Sequence, residues 1–225
     1  MKLYTYPVTT NALKLELLIN AAQIQLPRQV VQLHKGEHKK PPFLALNPLG
    51  KIPVLDDDGQ IYSESNALLI HLARRFNSPL WPSALEQQSQ VLQWLFWQAT
   101  VWGPVANDFH HQHMLLPAWG LAPNTQRLQQ QLPKFLDACA QLNAHLLPLK
   151  TEPQQQTPKL FLVGQKLSIA DLSIAAFLLF WQESELPLEN FPALLQWLEQ
   201  LQQLPWWQQS KQQAEHFLSQ IHAYA

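Results

Sequence analysis

Apolar positions along the first third of the chain alternate between a period of two and a period near 3.6, and beyond it the helical period takes over. Lys2 to Tyr6 alternates as a strand, and Asn11 to Ala22 carries a broad apolar helical face through Leu13, Leu15, Leu17, Leu18 and Ala21. Arg28 to Leu33 reads as a second strand and Pro42 to Leu46 as a short helical turn. Ile52-Pro53 then precedes a short apolar run, Asp58-Gly59 signals a tight hairpin, and Glu64-Ser65 opens a helix patterned by Ala67, Leu68, Ile70, Leu72 and Ala73. Because Pro53 has no N–H for a ladder, it belongs at a strand start or in a special turn.

Asn77-Ser78-Pro79-Leu80-Trp81-Pro82 stops that helix with two prolines and reads as a connector. The division predicted is a mixed α/β domain over 1–76, a linker over 77–86 and an all-helical domain over 87–225. Glu86 to about Leu116 reads as one long aromatic-rich helix, with a kink expected at Gly103-Pro104. Further helical patterns run over 124–147, 168–181, 192–201 and 206–222, and Pro133 leaves the continuity of the first of these open. In Leu167-Ser168-Ile169-Ala170-Asp171-Leu172 the serine is placed to cap a helix, Asp171 to reach back to it and Leu167 to pack on Leu172. Replacing Ser168 or Asp171 by Ala is expected at this level to cost about 1 kcal/mol each.

Composition narrows the function classes. The 225 residues, 47% of them hydrophobic, suffice for packed cores, while a formal net charge of −1 with 14% charged residues leaves no footprint for nucleic acid or an anionic membrane surface. Glutamine replaces charge on much of the predicted surface, as in Gln129 to Gln131 and Gln154 to Gln156. No apolar run reaches a membrane span, and the amino terminus lacks the apolar core of a signal peptide, so a cytoplasmic location is expected. A single cysteine, Cys139, lies in an amphipathic pattern where a small buried thiol is ordinary, with nothing basic nearby to activate it. His110, His111 and His113 have no carboxylate or cysteine at a convincing ligand spacing, so no metal is expected.

A strand, a tight turn, a strand and then a helix beginning Ser65-Asn66 make a place for a small anion, because the first turn offers unpaired N–H groups and a positive dipole end. The run from Asn47 to Asn66 resembles the glutathione-binding core of the cytosolic glutathione transferase superfamily, of theta, delta or nu-like type. The resemblance implies a thioredoxin-like α/β amino-terminal domain followed by an all-α carboxy-terminal domain, a cis Pro53, and a homodimer. It also implies that Glu64 and Ser65 hold the γ-glutamyl end of glutathione, with Ile52 meeting its cysteinyl part through backbone groups in the manner of an added strand. Lys51 and His38 match positions near the glycyl carboxylate. Asn66 stands where an Arg is common and Gly50 where insect-type members have a His, which implies weaker carboxylate binding.

Glutathione chemistry needs a thiolate, and a thiol of pKa about 8.5 is only a few per cent ionised at neutral pH. One or two donors to the anion supply the roughly 2.7 kcal/mol that a shift of about two units requires. The resemblance puts that donor in the loop after the first strand: Thr9 at the place of the serine in Ser-type members, with Asn11 and Thr10 as alternatives, and Tyr4 and Tyr6 as residues that other classes would use. Trp102, Val105 and Phe109, at i, i+3 and i+7, form a stripe fit to line a pocket for the second substrate, with helical core packing the expected role of at least one of them. The implied function is a transferase that ionises glutathione, as co-substrate, and directs it at a small electrophile. A glutathione-dependent disulfide reductase is the alternative, as is an assembly module like the transferase-like domain of the elongation factor gamma subunit, which Tyr4-Thr5-Tyr6-Pro7, Gln93-Trp94 and Phe161-Leu162-Val163-Gly164 also resemble. No cysteine stands in the loop, which argues against a covalent cysteine–glutathione intermediate.

Overall fold

In the computed structural model, which describes residues 1–147 and 160–222, strand β1 (Lys2–Thr5) is the spine of a four-stranded sheet. It pairs in parallel with β2 (Arg28–Val30) and antiparallel with β3 (Val54–Asp57), which pairs antiparallel with β4 (Gln60–Tyr62), giving the order β2-β1-β3-β4. The parallel step needs a crossover, and α1 (Thr10–Ala21) supplies it. Helix α2 (Pro41–Leu44) is a single turn, and α3 (Ser65–Arg75) follows the hairpin. The predicted strand over 28–33 ends early: the Gln32 N–H leaves the ladder to donate to Glu37 Oε2 across 2.7 Å, and the chain turns into a 3₁₀ helix at Leu33. The Gln154 to Gln156 run lies outside the described residues.

The connection into β3 is shaped locally. Asn47, nearly buried, donates from Nδ2 to the Lys51 carbonyl at 2.7 Å and accepts from the Leu49 N–H at 3.2 Å. The Ile52-Pro53 bond is cis, and Pro53 immediately precedes β3, where its missing N–H leaves no ladder position empty. Asp58 and Gly59, at φ 53° and 91°, form the hairpin turn, which the Asp56 carboxylate holds by accepting from the Gly59 N–H at 2.7 Å.

The rest of the described chain is helical. Helix α4 (Leu85–Trp97), α5 (Gly103–His110) and α6 (Leu116–Ala118) make up one long helix interrupted by two wide π turns, at 98–102 and 111–115. Each wide turn comes just before a proline, with Gly103 N–H donating to Gln98 O and Leu116 N–H to His111 O. A proline ring collides with the carbonyl four residues back, so the helix loosens by one residue rather than breaking. Pro133, by contrast, is carried inside a continuous α7 (Thr125–Leu146), capped by Asn124 Oδ1 accepting from the Arg127 N–H. Helix α8 (Ile169–Ala175) passes into a 3₁₀ turn at 176–178, short of the predicted 181, and α9 (Pro192–Gln202) and α10 (Pro205–His222) complete the lobe.

The capping box at Ser168 is present and does more than cap. Asp171 is fully buried and accepts from Ser168 N–H (2.9 Å), Ser168 Oγ (3.0 Å), Leu162 N–H (2.9 Å) and Trp197 Nε1 (3.1 Å). Burial pushes its carboxyl up while those four donors pull the other way. It ties the start of α8 to the 160–163 segment and to α9 inside the second core.

Candidate functional site

A cleft of about 520 Å³ lies where α1 and the start of α3 face the long helix. Its polar wall is Asn11, Lys14, Glu64, Ser65 and Asn66 from the first lobe with Gln98 and Asn107 from the second, and its apolar wall includes Leu92, Phe96 and Phe177. Two local features aim it at an anion. Helix α3 begins without a side-chain cap, so its first-turn N–H groups stay unpaired among the described residues. Glu64, which precedes it, sits at φ 68° and ψ 110°, a conformation costly to a residue with a Cβ and characteristic of functional positions.

The cleft contains a residue that the hydrophobic pattern concealed. Lys14 is 1% exposed, and its Nζ donates to Ser65 Oγ at 3.0 Å, Asn66 Oδ1 at 3.1 Å and Gln98 Oε1 at 2.6 Å, while facing the Phe177 ring at 5.3 Å. Burial pulls its pKa down to about 7, with the negative charge of Glu64 opposing. Gln98 Oε1 also accepts from Asn66 Nδ2 at 2.9 Å, and Asn66 Oδ1 from Ser173 Oγ at 2.8 Å, so the same network joins the two lobes. Gly103 is required beside it: a Cβ there would lie 2.5 Å from Gln98 Nε2. The signal available in the sequence was a lysine on the same helical face as Leu17 and Leu18.

Among the three loop residues, the hydrogen bonds separate the roles. Thr9 Oγ1 donates to the Tyr6 carbonyl at 3.1 Å, and Thr10, fully buried, donates from Oγ1 to Asn107 Oδ1 at 2.7 Å. Each hydroxyl has one proton, and in both it is committed. Asn11 is exposed, lines the cleft and accepts from Ser65 Oγ at 3.1 Å. With Lys14 charged, an ammonium only donates, so Ser65 Oγ accepts from Lys14 and passes its own proton to Asn11 Oδ1, and the Asn11 amide N–H groups have no partner among the described residues. The loop itself is held from the second lobe by His110, whose Nε2 lies 2.7 Å from the Val8 carbonyl. A carbonyl accepts only, so Nε2 carries the proton, and burial pulls the pKa of the ring down to about 4.

The other residues expected at the site are arranged differently. His38, Lys51, Ile52 and Pro53 lie outside the lining of this cleft. His38 is in a 3₁₀ turn (Glu37–Lys39), its Nδ1 buried with no hydrogen-bond partner among the described residues. Gly50, at φ 58°, passes so close to this turn that a Cβ would lie 2.8 Å from the His38 carbonyl. Trp102, Val105 and Phe109 are buried in the core of the second lobe and do not line the cleft. Trp102 Nε1 donates to the Ile174 carbonyl at 3.2 Å, and Phe135 sits 5.5 Å from the Trp102 ring and 5.1 Å from that of Phe109. The apolar wall falls instead to the neighbouring face of the long helix, Leu92, Leu95, Phe96 and Ala99, with Phe177. Tyr6 is fully buried, its hydroxyl accepting from Trp119 Nε1 at 3.2 Å.

His110, His111 and His113 face different partners: Val8, the Trp119 ring and Glu185. Among the described residues no group of three or more His, Cys, Asp or Glu is arranged to hold a metal ion. Cys139 is fully buried, and burial pushes its thiol up, far from a reactive thiolate.

Comparison with known proteins agrees with this layout. The glutathione S-transferase N-terminal domain model matches residues 1–74 and the C-terminal domain model residues 107–209. The chain is 28% identical over 210 residues to the disulfide-bond oxidoreductase YfcG of Escherichia coli, covering 90% of each. It is 30% identical over 181 residues to glutathione S-transferase 3 of Zea mays, covering 78% of this chain and 75% of that one. A possible glutathione S-transferase from Rhodopseudomonas palustris superposes with a TM-score of 0.80 at 26% identity, over 91% of this chain and 87% of that one. The chain belongs to the cytosolic glutathione transferase superfamily, with its thioredoxin-like sheet lobe and all-helical second lobe.

Proposed function

We propose that the cleft binds glutathione, with the γ-glutamyl carboxylate at the backbone N–H groups of Ser65 and the open first turn of α3, the γ-glutamyl ammonium at Glu64, and the sulfur beside Asn11. Asn11 is then the principal donor to the thiolate, while Thr9 shapes the loop and Thr10 ties it to Asn107. The observation that carries this reading is the chain of donors from Lys14 through Ser65 to Asn11, a cleft-lining residue whose amide N–H groups have no partner among the described residues. One such donor to an anion contributes about 1.5–3 kcal/mol, enough to lower a thiol pKa by about one to two units. The apolar wall formed by Leu92, Phe96 and Phe177 suits a small electrophile. His38, Lys51 and Ile52 remain proposed contacts for the glycyl and cysteinyl parts.

Transfer of glutathione to an electrophile is the first reading. A glutathione-dependent disulfide reductase is the second, favoured by the similarity to the E. coli disulfide-bond oxidoreductase over 90% of both chains. A homodimer is also proposed, with Leu85 of α4, 71% exposed and outside the cleft lining, as a candidate contact. No helix among the described residues is long and apolar enough to cross a membrane, and the proposed setting is cytoplasmic.

Calorimetric titration with glutathione, followed by rates with chlorodinitrobenzene and with a small glutathione mixed disulfide, tests the reading. Saturable binding with turnover of either substrate is expected. Binding without turnover of any substrate would leave a binding module, and no binding would overturn the proposal.

A further inference from the structure

Resting on the glutathione reading, we propose that Lys14 is a proton-linked receptor for the anionic end of the ligand: the cleft takes up a carboxylate together with a proton, and Lys14 carries that proton. The geometry supporting this is an imbalance. A lysine ammonium buried to 1% exposure is held by three neutral acceptors, Ser65 Oγ, Asn66 Oδ1 and Gln98 Oε1, and makes no ion pair among the described residues. A buried cation without a counter-ion is costly, and the cost disappears either by losing the proton or by gaining an anion.

The groups packed around Lys14 do not supply that anion. From the neighbouring helices come Ser65 and Asn66 of α3, Gln98 of the long helix, Ser173 of α8 and the Phe177 ring, all neutral. Helix α10 meets α1 at Asn20 through Ser210 and Gln213, also neutral, and the Asp171 carboxylate of α8 is turned to Ser168, Leu162 and Trp197. Glu64 acts on Lys14 at a distance only and opens onto the cleft. A ligand carboxylate on the Ser65 N–H, next to the hydroxyl that accepts from Lys14 Nζ, would therefore bring an anion beside the ammonium. In the free protein Lys14 changes charge near pH 7, so occupancy by an anion shifts it back to the charged form within the physiological range.

The test is calorimetric titration of wild-type protein with S-methylglutathione, which has no thiol to ionise, in two buffers of different ionisation enthalpy. Net uptake of about half a proton or more per ligand is expected at pH 8, with affinity falling about tenfold between pH 7 and pH 8.5. Lys14→Arg keeps a cation that does not titrate, so it is expected to bind with the lysine-linked uptake gone and a flatter pH dependence; Lys14→Gln is expected to bind weakly at every pH. Wild-type binding without proton uptake, or uptake unchanged in Lys14→Arg, overturns the inference and leaves the glutathione site standing. Failure of S-methylglutathione to bind the wild type at all overturns both.

Discussion

Ser65 Oγ lies 3.1 Å from Asn11 Oδ1 and donates to it, across 54 residues of sequence, because Lys14 Nζ occupies the other side of the hydroxyl at 3.0 Å. The bond places the proposed anchor of the γ-glutamyl carboxylate beside the proposed thiolate donor and takes up the amide oxygen of Asn11, not its N–H groups. Asn11→Ala is therefore expected to lower kcat/KM by about ten- to a hundredfold and to raise the pH midpoint of the rate by about one to two units. Thr9→Val, which removes a hydroxyl already committed to Tyr6, is expected to leave that midpoint in place. A pH–rate series on both variants would show the opposite pattern if Thr9 served the sulfur.

Lys14 is expected to cost the free protein stability. Its folded pKa of about 7 lies below its ordinary value of 10.5, so the unfolded chain holds more protons between those limits and stability rises as pH climbs through them. Removing it leaves its acceptors provided for: Gln98 Oε1 keeps Asn66, Asn66 Oδ1 keeps Ser173, and Ser65 keeps Asn11. Lys14→Met is expected to raise stability at pH 7 by a few kcal/mol while weakening glutathione binding. A melting temperature that falls instead would show that the three hydrogen bonds outweigh the cost of burying the charge.

His110 works in the opposite pH range. Its folded pKa of about 4 lies below 6.5, so the unfolded state takes a proton that the folded state refuses, and stability is lost as pH falls from about 6.5 to 4. The loss attributable to this residue is about 3 kcal/mol. Denaturant titrations at pH 7.5 and 4.5 on wild type and His110→Gln check it: the variant is expected to be less stable at neutral pH and markedly less sensitive to acid. Equal acid sensitivity in both would remove His110 from the account.

Asp171→Ala is expected to cost about 3–5 kcal/mol, since it strands buried donors at Leu162, Ser168 and Trp197. Ser168→Ala removes only one of the four bonds and is expected to cost about 1 kcal/mol. Equal effects in chemical denaturation would reduce Asp171 to an ordinary cap.

Leu85→Glu is expected to shift a dimer to monomer in analytical ultracentrifugation if the exposed start of α4 is buried between copies. An unchanged sedimentation coefficient would place the contact elsewhere.

What was legible in the sequence was local. The Asp58-Gly59 turn, the proline at the start of β3, the helix opening at Ser65 and the box at Ser168 each rest on interactions within a few residues, and each formed. The division of the 98–118 stretch by wide turns was only half legible, because Pro104 announces a disturbance without saying that the helix survives it. Trp102, Val105 and Phe109 show the limit of periodicity: it finds an apolar face, and Phe135 and Ile174, supplied by other helices, decide that this face is core. Lys14 was illegible for the same reason, since its partners lie 51, 52 and 84 residues away.

The most direct measurement is a pH titration of the thiolate absorbance of protein-bound glutathione, wild type against Asn11→Ala. A wild-type midpoint about one to two units below that of the free thiol, moving back toward it in the variant, is expected. Glutathione bound at saturation with its thiol titrating as it does in water would contradict the claim that this cleft stabilises the sulfur anion.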